Sequence, residues 1–160
     1  MPGLTFSDTA AVVGSISSLL LAGVNFSASQ LTLPILYRIP DETSTSIFEE
    51  LFYRGGMVIV PLTLFATLCT GTTAYLEPTA RSGYTAAAVA SFASLPFTGL
   101  YMRPTIQRLL KLANDEKVRQ KADANEAVSL LKRWRWMNFV RAALALVGGA
   151  VGLAVLLGAW

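Results

Sequence analysis

The sequence predicts an all-α fold: a polytopic membrane bundle of four helices, with a long amphipathic helical connection between the third and the fourth. Three observations carry this. Of 160 residues, 53% are hydrophobic and only 14% charged, and the mean hydropathy is +0.50, a balance that favours a membrane protein over a soluble domain. Four apolar runs are each long enough to cross about 30 Å of hydrocarbon. The 13 basic residues are confined to a few places, where they report topology rather than nucleic-acid binding. We expect a single unit over 1–160, with spans near 8–33, 56–76, 84–102 and 136–157.

Each span has its own signals. Met1 to Thr9 contains no Lys or Arg, so the first run reads as a retained helix and not as a cleaved signal peptide. It is expected to start at Asp8 with Ser7 as its cap and to end at Pro34. Gly14, Ser18 and Ala22 recur every fourth residue, a spacing that lets a neighbouring helix approach closely. Ser46 with Glu49 three residues on resembles a capping box, so Ile47 to Tyr53 reads either as a short interfacial helix or as ordinary loop. The second span contains Pro61 and stops at Glu77-Pro78. The third carries Ala86, Ala90 and Ser94 as a small-residue seam. Ile106, Leu109, Leu110 and Ala113 then recur at helical spacing, so this helix is expected to continue into the aqueous phase and break at Asn114-Asp115. A second amphipathic helix with Val128, Leu130 and Leu131 would return the chain to the membrane. The last span, from Trp136, pairs Ala145 with Gly149 and Gly148 with Gly152, within an apolar run that extends to Trp160. These seams permit association with a second copy of the chain as well as packing within one.

Four spans place the two long connections, Tyr37 to Gly56 and Arg103 to Arg135, on one side. Nearly all the basic residues lie there, against Arg81 alone on the other side. The positive-inside rule then puts the long connections in the cytosol and both termini on the lumenal or external side.

Composition also narrows the chemistry. The single Cys69 excludes an intramolecular disulfide and paired-cysteine redox chemistry. With no histidine, the usual His-bearing sites for zinc, copper, haem and non-haem iron are absent, and we expect no tightly held transition metal. No Walker loop, GxGxxG after a strand or HExxH occurs. Asn25-Phe26-Ser27 matches a glycosylation sequon but lies inside a span.

The unusual intramembrane groups fall at one depth. Asn25, Ser29 and Gln30 lie in the cytosolic half of the first helix, Tyr53 and Arg54 where the second enters, Thr98 and Tyr101 before the third leaves, and Asn138 and Arg141 just inside the fourth. A fourth helix starting at Trp136 would also point the positive end of its dipole at this layer. An arginine, an amide and a helix N-terminus together suit an enolate, phenolate or carboxylate, with Tyr and Trp rings as walls for a flat aromatic ligand. Each residue has a plainer reading. Arg141 reads also as snorkelling to lipid phosphates, Asn25 and Asn138 as interhelical ties, Trp134 and Trp136 as interface anchors, and Thr98 as bonded back to its own helix.

Three segments resemble a known pattern: Gly23-Val24-Asn25-Phe26-Ser27-Ala28-Ser29 ahead of Pro34; Pro96-Phe97-Thr98 with Met102 and Pro104-Thr105; and Trp134 with Asn138 and Arg141. In order and spacing they look like the DUF1772, or anthrone oxygenase-like, integral membrane family. One position departs: Ile106 stands where that pattern has an Asn. The resemblance implies polyketide tailoring in which dioxygen oxidises an anthrone to an anthraquinone. The substrate becomes a delocalised carbanion that reacts with dioxygen as co-substrate and needs no bound cofactor. It further implies that Arg141 and Asn138 stabilise oxygen charge, that Asn25 orients the substrate, and that Tyr53, Thr98, Tyr101 and Trp134 line the pocket. Water, Glu49, Glu50 and a tyrosinate all stand as the general base. The competing class is a non-catalytic four-helix binding or assembly protein whose polar layer only fixes helix packing. A small transporter is a third, weakened by the lack of a mid-membrane carboxylate.

Overall fold

The computed structural model describes residues 5–159. Helix α1, Phe6–Leu36, starts two residues earlier than a cap at Ser7 would set it. Thr5 is the cap: its hydroxyl accepts from the Asp8 N–H at 3.1 Å, and the Asp8 carboxylate accepts from the Thr5 N–H at 3.1 Å. Ser7 instead donates to the Glu77 carboxylate at 2.6 Å, tying α1 to the turn after the second helix. Pro34 does not end α1. The helix widens into a π turn over Ala28–Thr32, where the Leu33 N–H reaches back to the Ala28 carbonyl, and it continues to Leu36. A proline lacks the N–H and crowds the carbonyl one turn back, and a π turn just ahead of it relieves that conflict.

Helix α2 is one unbroken 36-residue element, Asp41–Leu76, so the interfacial helix and the second span are the same helix. Ser46 and Glu49 fall inside it. Its start is marked by Pro40 followed by Asp41 and Glu42 in the first turn, where acidic groups complement the helix dipole. Helix α3, Arg81–Asn114, loosens at Ala93, passes through a second π turn over Thr98–Met102 ahead of Pro104, and ends where Asp115 becomes extended. The Asp115 carboxylate caps the short α4, Glu116–Gln120, accepting from the Lys117 N–H at 2.9 Å. Asn125, in the left-handed region at φ 71°, opens α5, Glu126–Leu156.

This last helix corrects the expected fourth span. The amphipathic return helix and the span are one helix, so its N-terminus lies at Glu126, about 18 Å along the axis from Asn138. The helix dipole therefore has no part in the polar layer. Apolar character begins at Trp136, but Ala127 and Leu131 are already buried on the same face, and the helical phase runs through without a break. Trp160, at the end of the apolar run, lies outside the described residues.

The four long helices have the length and apolarity to cross a membrane, the architecture of an integral membrane protein. They form a ring in which α1 and α3 each pack against both α2 and α5. Close approach is set by α5: a Cβ at Gly148 would stand 2.2 Å from Ser91 Oγ, and one at Gly152 would stand 2.3 Å from Ser15 Oγ. Ser18 and Ser91 hydroxyls meet at 2.7 Å between α1 and α3. On α3 the buried stripe is Ala87, Ala88, Ser91 and Ser94, while Ala86 is exposed. The expected Ala86 and Ala90 seam is thus displaced, because a run of three alanines carries no marker of helical phase.

Helices of 31 to 36 residues rise about 46–54 Å, well beyond about 30 Å of hydrocarbon. The overrun is polar and gathers at one end. There Arg108 makes a two-pronged pair with Glu126 at 2.6 and 2.9 Å, and Asn114 Nδ2 donates to Glu49 at 2.8 Å. Beneath this head lies an apolar cluster that includes Leu33, Phe48, Met102, Ile106, Leu109 and Leu131. Ile106 is therefore core, and it does not line the cavity described next.

Candidate functional site

Between the four long helices, on the membrane side of that cluster, lies a cavity of about 280 Å³. This is at the small end of the range for small-molecule sites. α1 contributes Val24, Asn25 and Ala28; α2 contributes Leu51, Phe52, Gly55, Gly56, Ile59 and Val60; α3 contributes Leu95, Thr98 and Gly99; α5 contributes Trp134, Asn138 and Arg141. Each π turn begins at or beside a lining residue, Ala28 and Thr98, in keeping with the concentration of such turns at functional sites.

One wall is a polar network across α1 and α5. Asn138 Nδ2 donates to the Asn25 carbonyl at 2.8 Å and to Ser29 Oγ at 2.9 Å, and Ser29 Oγ donates to the Asn25 carbonyl at 2.9 Å. Arg141 Nη1 donates to Asn138 Oδ1 at 3.1 Å. Arg141 is 7% exposed, and among the described residues no carboxylate pairs with it. A guanidinium buried without a counter-ion is costly unless the cavity supplies one, and its Nε–H has no partner.

Two further unpaired groups belong to lining residues: Asn25 Oδ1, an acceptor, and Trp134 Nε1, a donor. Of the six buried side-chain atoms without a partner among the described residues, three thus belong to this one cavity. Buried polar atoms are normally bonded, so such a concentration marks a candidate binding site. Trp134 is buried, not an interface anchor, and its indole meets the Phe48 ring edge to face at 5.3 Å. Trp136 is 72% exposed, as an anchor would be.

The structure therefore brings Asn25, Thr98, Trp134, Asn138 and Arg141 to one cavity. Thr98 donates its hydroxyl back to the Ser94 carbonyl at 2.7 Å. Tyr53 and Tyr101 are not brought in: both are exposed, Tyr53 on the outer groove of α2 and Tyr101 stacked on Phe97 at 5.3 Å. They lie at the expected depth but are rotated away. Glu49 is engaged by Asn114 and Glu50 by Arg54 at 2.6 Å, both on the polar head. No group of three or more His, Cys, Asp or Glu placed to hold a metal ion occurs among the described residues. Ser29, expected in the same polar layer, joins the network, while Phe52 and the Gly55-Gly56 pair line the cavity without having been singled out for it. The glycine pair in an apolar helix, at the depth of Asn25, was the available signal.

The profile of the anthrone oxygenase family matches residues 48–151, more than half of the chain and all of the α2, α3 and α5 walls. The chain belongs to the anthrone oxygenase family. Similar proteins include an anthrone oxygenase of Paecilomyces divaricatus, 27% identical over 152 residues that cover 90% of each chain. An anthrone oxygenase of Aspergillus fumigatus is 29% identical over 154 residues, covering 93% of this chain and 91% of that one. A noranthrone monooxygenase of Aspergillus flavus is 25% identical over 149 residues, covering 88% of this chain and 70% of that one. No solved structure matches. Within an anthrone oxygenase family chain, the cavity at Arg141 is the feature that calls for a chemical reading.

Proposed function

We propose that this protein is a membrane oxygenase of polyketide metabolism that converts an anthrone-like polycyclic phenol to the corresponding quinone with dioxygen. Family membership supports the reaction class. The observation that carries the site is the buried Arg141 guanidinium, which has no counter-ion and lines a cavity of ligand size. In this reading the substrate supplies the missing anion.

The steps follow from the substrate's chemistry. Loss of a methylene proton to water leaves an electron pair delocalised onto the ring carbonyl oxygen, and Arg141 holds that oxygen through its free N–H donors. The electron-rich anion gives one electron to dioxygen, and the resulting radical and superoxide combine to form a carbon–oxygen bond; the peroxide anion so formed takes back a proton from water to become a hydroperoxide. Loss of the second methylene proton breaks the O–O bond: the carbon becomes a carbonyl and the distal oxygen departs as hydroxide, which is protonated to water. One oxygen atom enters the product and one enters water. No bound cofactor is required by this scheme, with dioxygen as co-substrate.

Roles divide by hydrogen-bond capacity. Asn138 has committed both Nδ2 protons within the protein and accepts Arg141 on its Oδ1, so it has no donor left for a substrate oxyanion and serves to position Arg141. Asn25 Oδ1 accepts from a substrate phenol, Trp134 Nε1 donates to a second oxygen, and Thr98 and Phe52 pack against the ring plane. The position of nearly all basic residues at the polar head orients that end to the cytosol.

The test is purified protein incubated with emodin anthrone, with and without dioxygen, following quinone formation by mass spectrometry against a protein-free control. Product that depends on both protein and dioxygen, and falls in Arg141→Ala, is expected. Formation no faster than the spontaneous oxidation in the control contradicts the reading.

A further inference from the structure

Towards the polar head the cavity abuts the apolar cluster through Trp134, Leu51 and Phe52, which belong to both, so access to Arg141 has to come through a wall. α2 and α3 are tied at both ends. Ala74 and Tyr84 share an apolar cluster at one end, and Asn114 bonds Glu49 at 2.8 Å at the other. Between these ties, over Ser94–Phe97 and the start of Thr98–Met102, the two helices approach each other only sparsely, before Met102 joins Phe48 in the head cluster. The seam between α1 and α2, by contrast, is filled by Leu21, Ala22 and Ala66 with Ile59 and Leu62 against them.

This sparse stretch is where the cavity meets the outside. Phe52, Gly56 and Val60 line the cavity and also line a groove on the outer face of α2, beside Met57 and Pro61. Val60 is 42% exposed, and Gly99 across the gap is exposed too. A Cβ added at Gly56 or at Gly99 meets no heavy atom within 4 Å, so these glycines are not forced by helix packing as Gly148 and Gly152 are. Their effect is to leave an opening in the apolar wall, within about a turn of Arg54 and Arg103, that leads to a buried guanidinium.

We propose that the gap between α2 and α3 at Gly56 and Gly99 is a lateral portal. Flat phenols dissolved in the bilayer slide through it edge-first to Arg141, and the two glycines set the thickness of ring system that passes. What passes rests on the oxygenase reading above; the portal itself rests on the wall geometry. An apolar ring system partitions into the hydrocarbon, so a lipid-facing opening offers it a higher local concentration than water does. It also spares the charged Arg141 from exposure to bulk water, which would weaken its hold on an anion.

Tryptophan quenching tests the portal without turnover. In a Trp136→Phe, Trp160→Phe protein, Trp134 is the sole remaining tryptophan of the three and reports from the cavity wall. In phosphatidylcholine vesicles, the bilayer-dissolved quencher 10-doxylnonane is expected to quench it strongly and aqueous iodide only weakly. Gly56→Leu and Gly99→Leu are each expected to lower the doxylnonane quenching constant at least threefold, with the Ala forms giving a smaller decrease in the same direction. Gly71→Leu, on α2 in equally open space but off the cavity, is expected to leave it unchanged. Quenching that ignores both leucines, or iodide quenching as strong as that by doxylnonane, overturns the portal. Because no anthrone is present, either result leaves the oxygenase assay to stand or fall separately.

Discussion

Arg141 Nη1 donates to Asn138 Oδ1 at 3.1 Å, one turn back on the same helix, and Asn138 is itself held by the carbonyl of Asn25 and the hydroxyl of Ser29 on α1. The guanidinium that faces the cavity is thus aimed by a different helix from the one that carries it. Its direction depends on the α1–α5 seam, where Gly149 leaves room for Leu19. Packing deep in the bundle and charge placement in the cavity are parts of one arrangement.

Replacing Arg141 with Lys keeps the charge but removes the planar fork, and a compact ammonium cannot reach both Asn138 and a substrate oxygen. Turnover is expected to fall about 10²-fold, the usual cost of losing one donor to a developing oxyanion, with thermal unfolding little changed. Steady-state kinetics on equally folded proteins measure this; equal turnover removes Arg141 from the chemistry.

Asn138→Leu removes the donor that the Asn25 carbonyl and Ser29 Oγ share, leaving those two bonded to each other, and leaves Arg141 Nη1 without its partner. A loss of about 1–3 kcal/mol is expected from unsatisfied buried groups, visible as a lower unfolding temperature in detergent. As a positioning residue, Asn138 should affect kcat more than KM. If the polar layer served packing alone, stability would move with Asn138→Leu and Arg141→Lys alike, and no activity would exist to move.

Gly148→Ala drives a methyl to 2.2 Å from Ser91 Oγ and 2.9 Å from the Ala87 carbonyl. Backbone on α3 cannot yield cheaply, so overpacking should cost about 1–3 kcal/mol. Gly23→Ala, with nothing within 4 Å, is the matched control and should be neutral or slightly stabilising in a helix. Equal stability of the two variants would mean that α5 and α3 do not approach as described.

Arg108→Gln dissolves the two-pronged pair with Glu126 that joins α3 to α5 at the polar head. The side chains are 40% and 22% exposed, so the pair is screened by solvent and should contribute little to stability. Unfolding temperature measured against salt should fall for the parent and stay flatter for the variant.

The four spans were legible because each carries its own long apolar signal, and the depth of the polar layer followed from counting residues along them. Helix boundaries were not, for physical reasons that differ. Ser46 and Glu49 match a capping pattern that the already-formed α2 does not use. The start of α5 is hidden because an amphipathic segment continues in phase into an apolar one, so a change in composition at Trp136 marks the membrane surface and not a helix end. Asn25, Asn138 and Arg141 stood out as polar groups where polarity is costly. Tyr53 and Tyr101 were drawn to the site by the same depth count, which knows height but not rotation about the helix axis. Phe52 and Gly56 went unseen because a ring and a missing side chain look the same in a cavity wall as in lipid.

The two π turns, Ala28–Thr32 and Thr98–Met102, act as single-residue insertions, each advancing everything beyond it by about 100° around its helix. Leu33 and Leu36 after the first, and Ile106 and Leu109 after the second, belong to the head cluster. The protein therefore runs two periodicities along one helix, one for the membrane half and one for the head. Excising a residue from either π turn would restore an ordinary helix while setting the two halves out of phase, with the cavity at the joint.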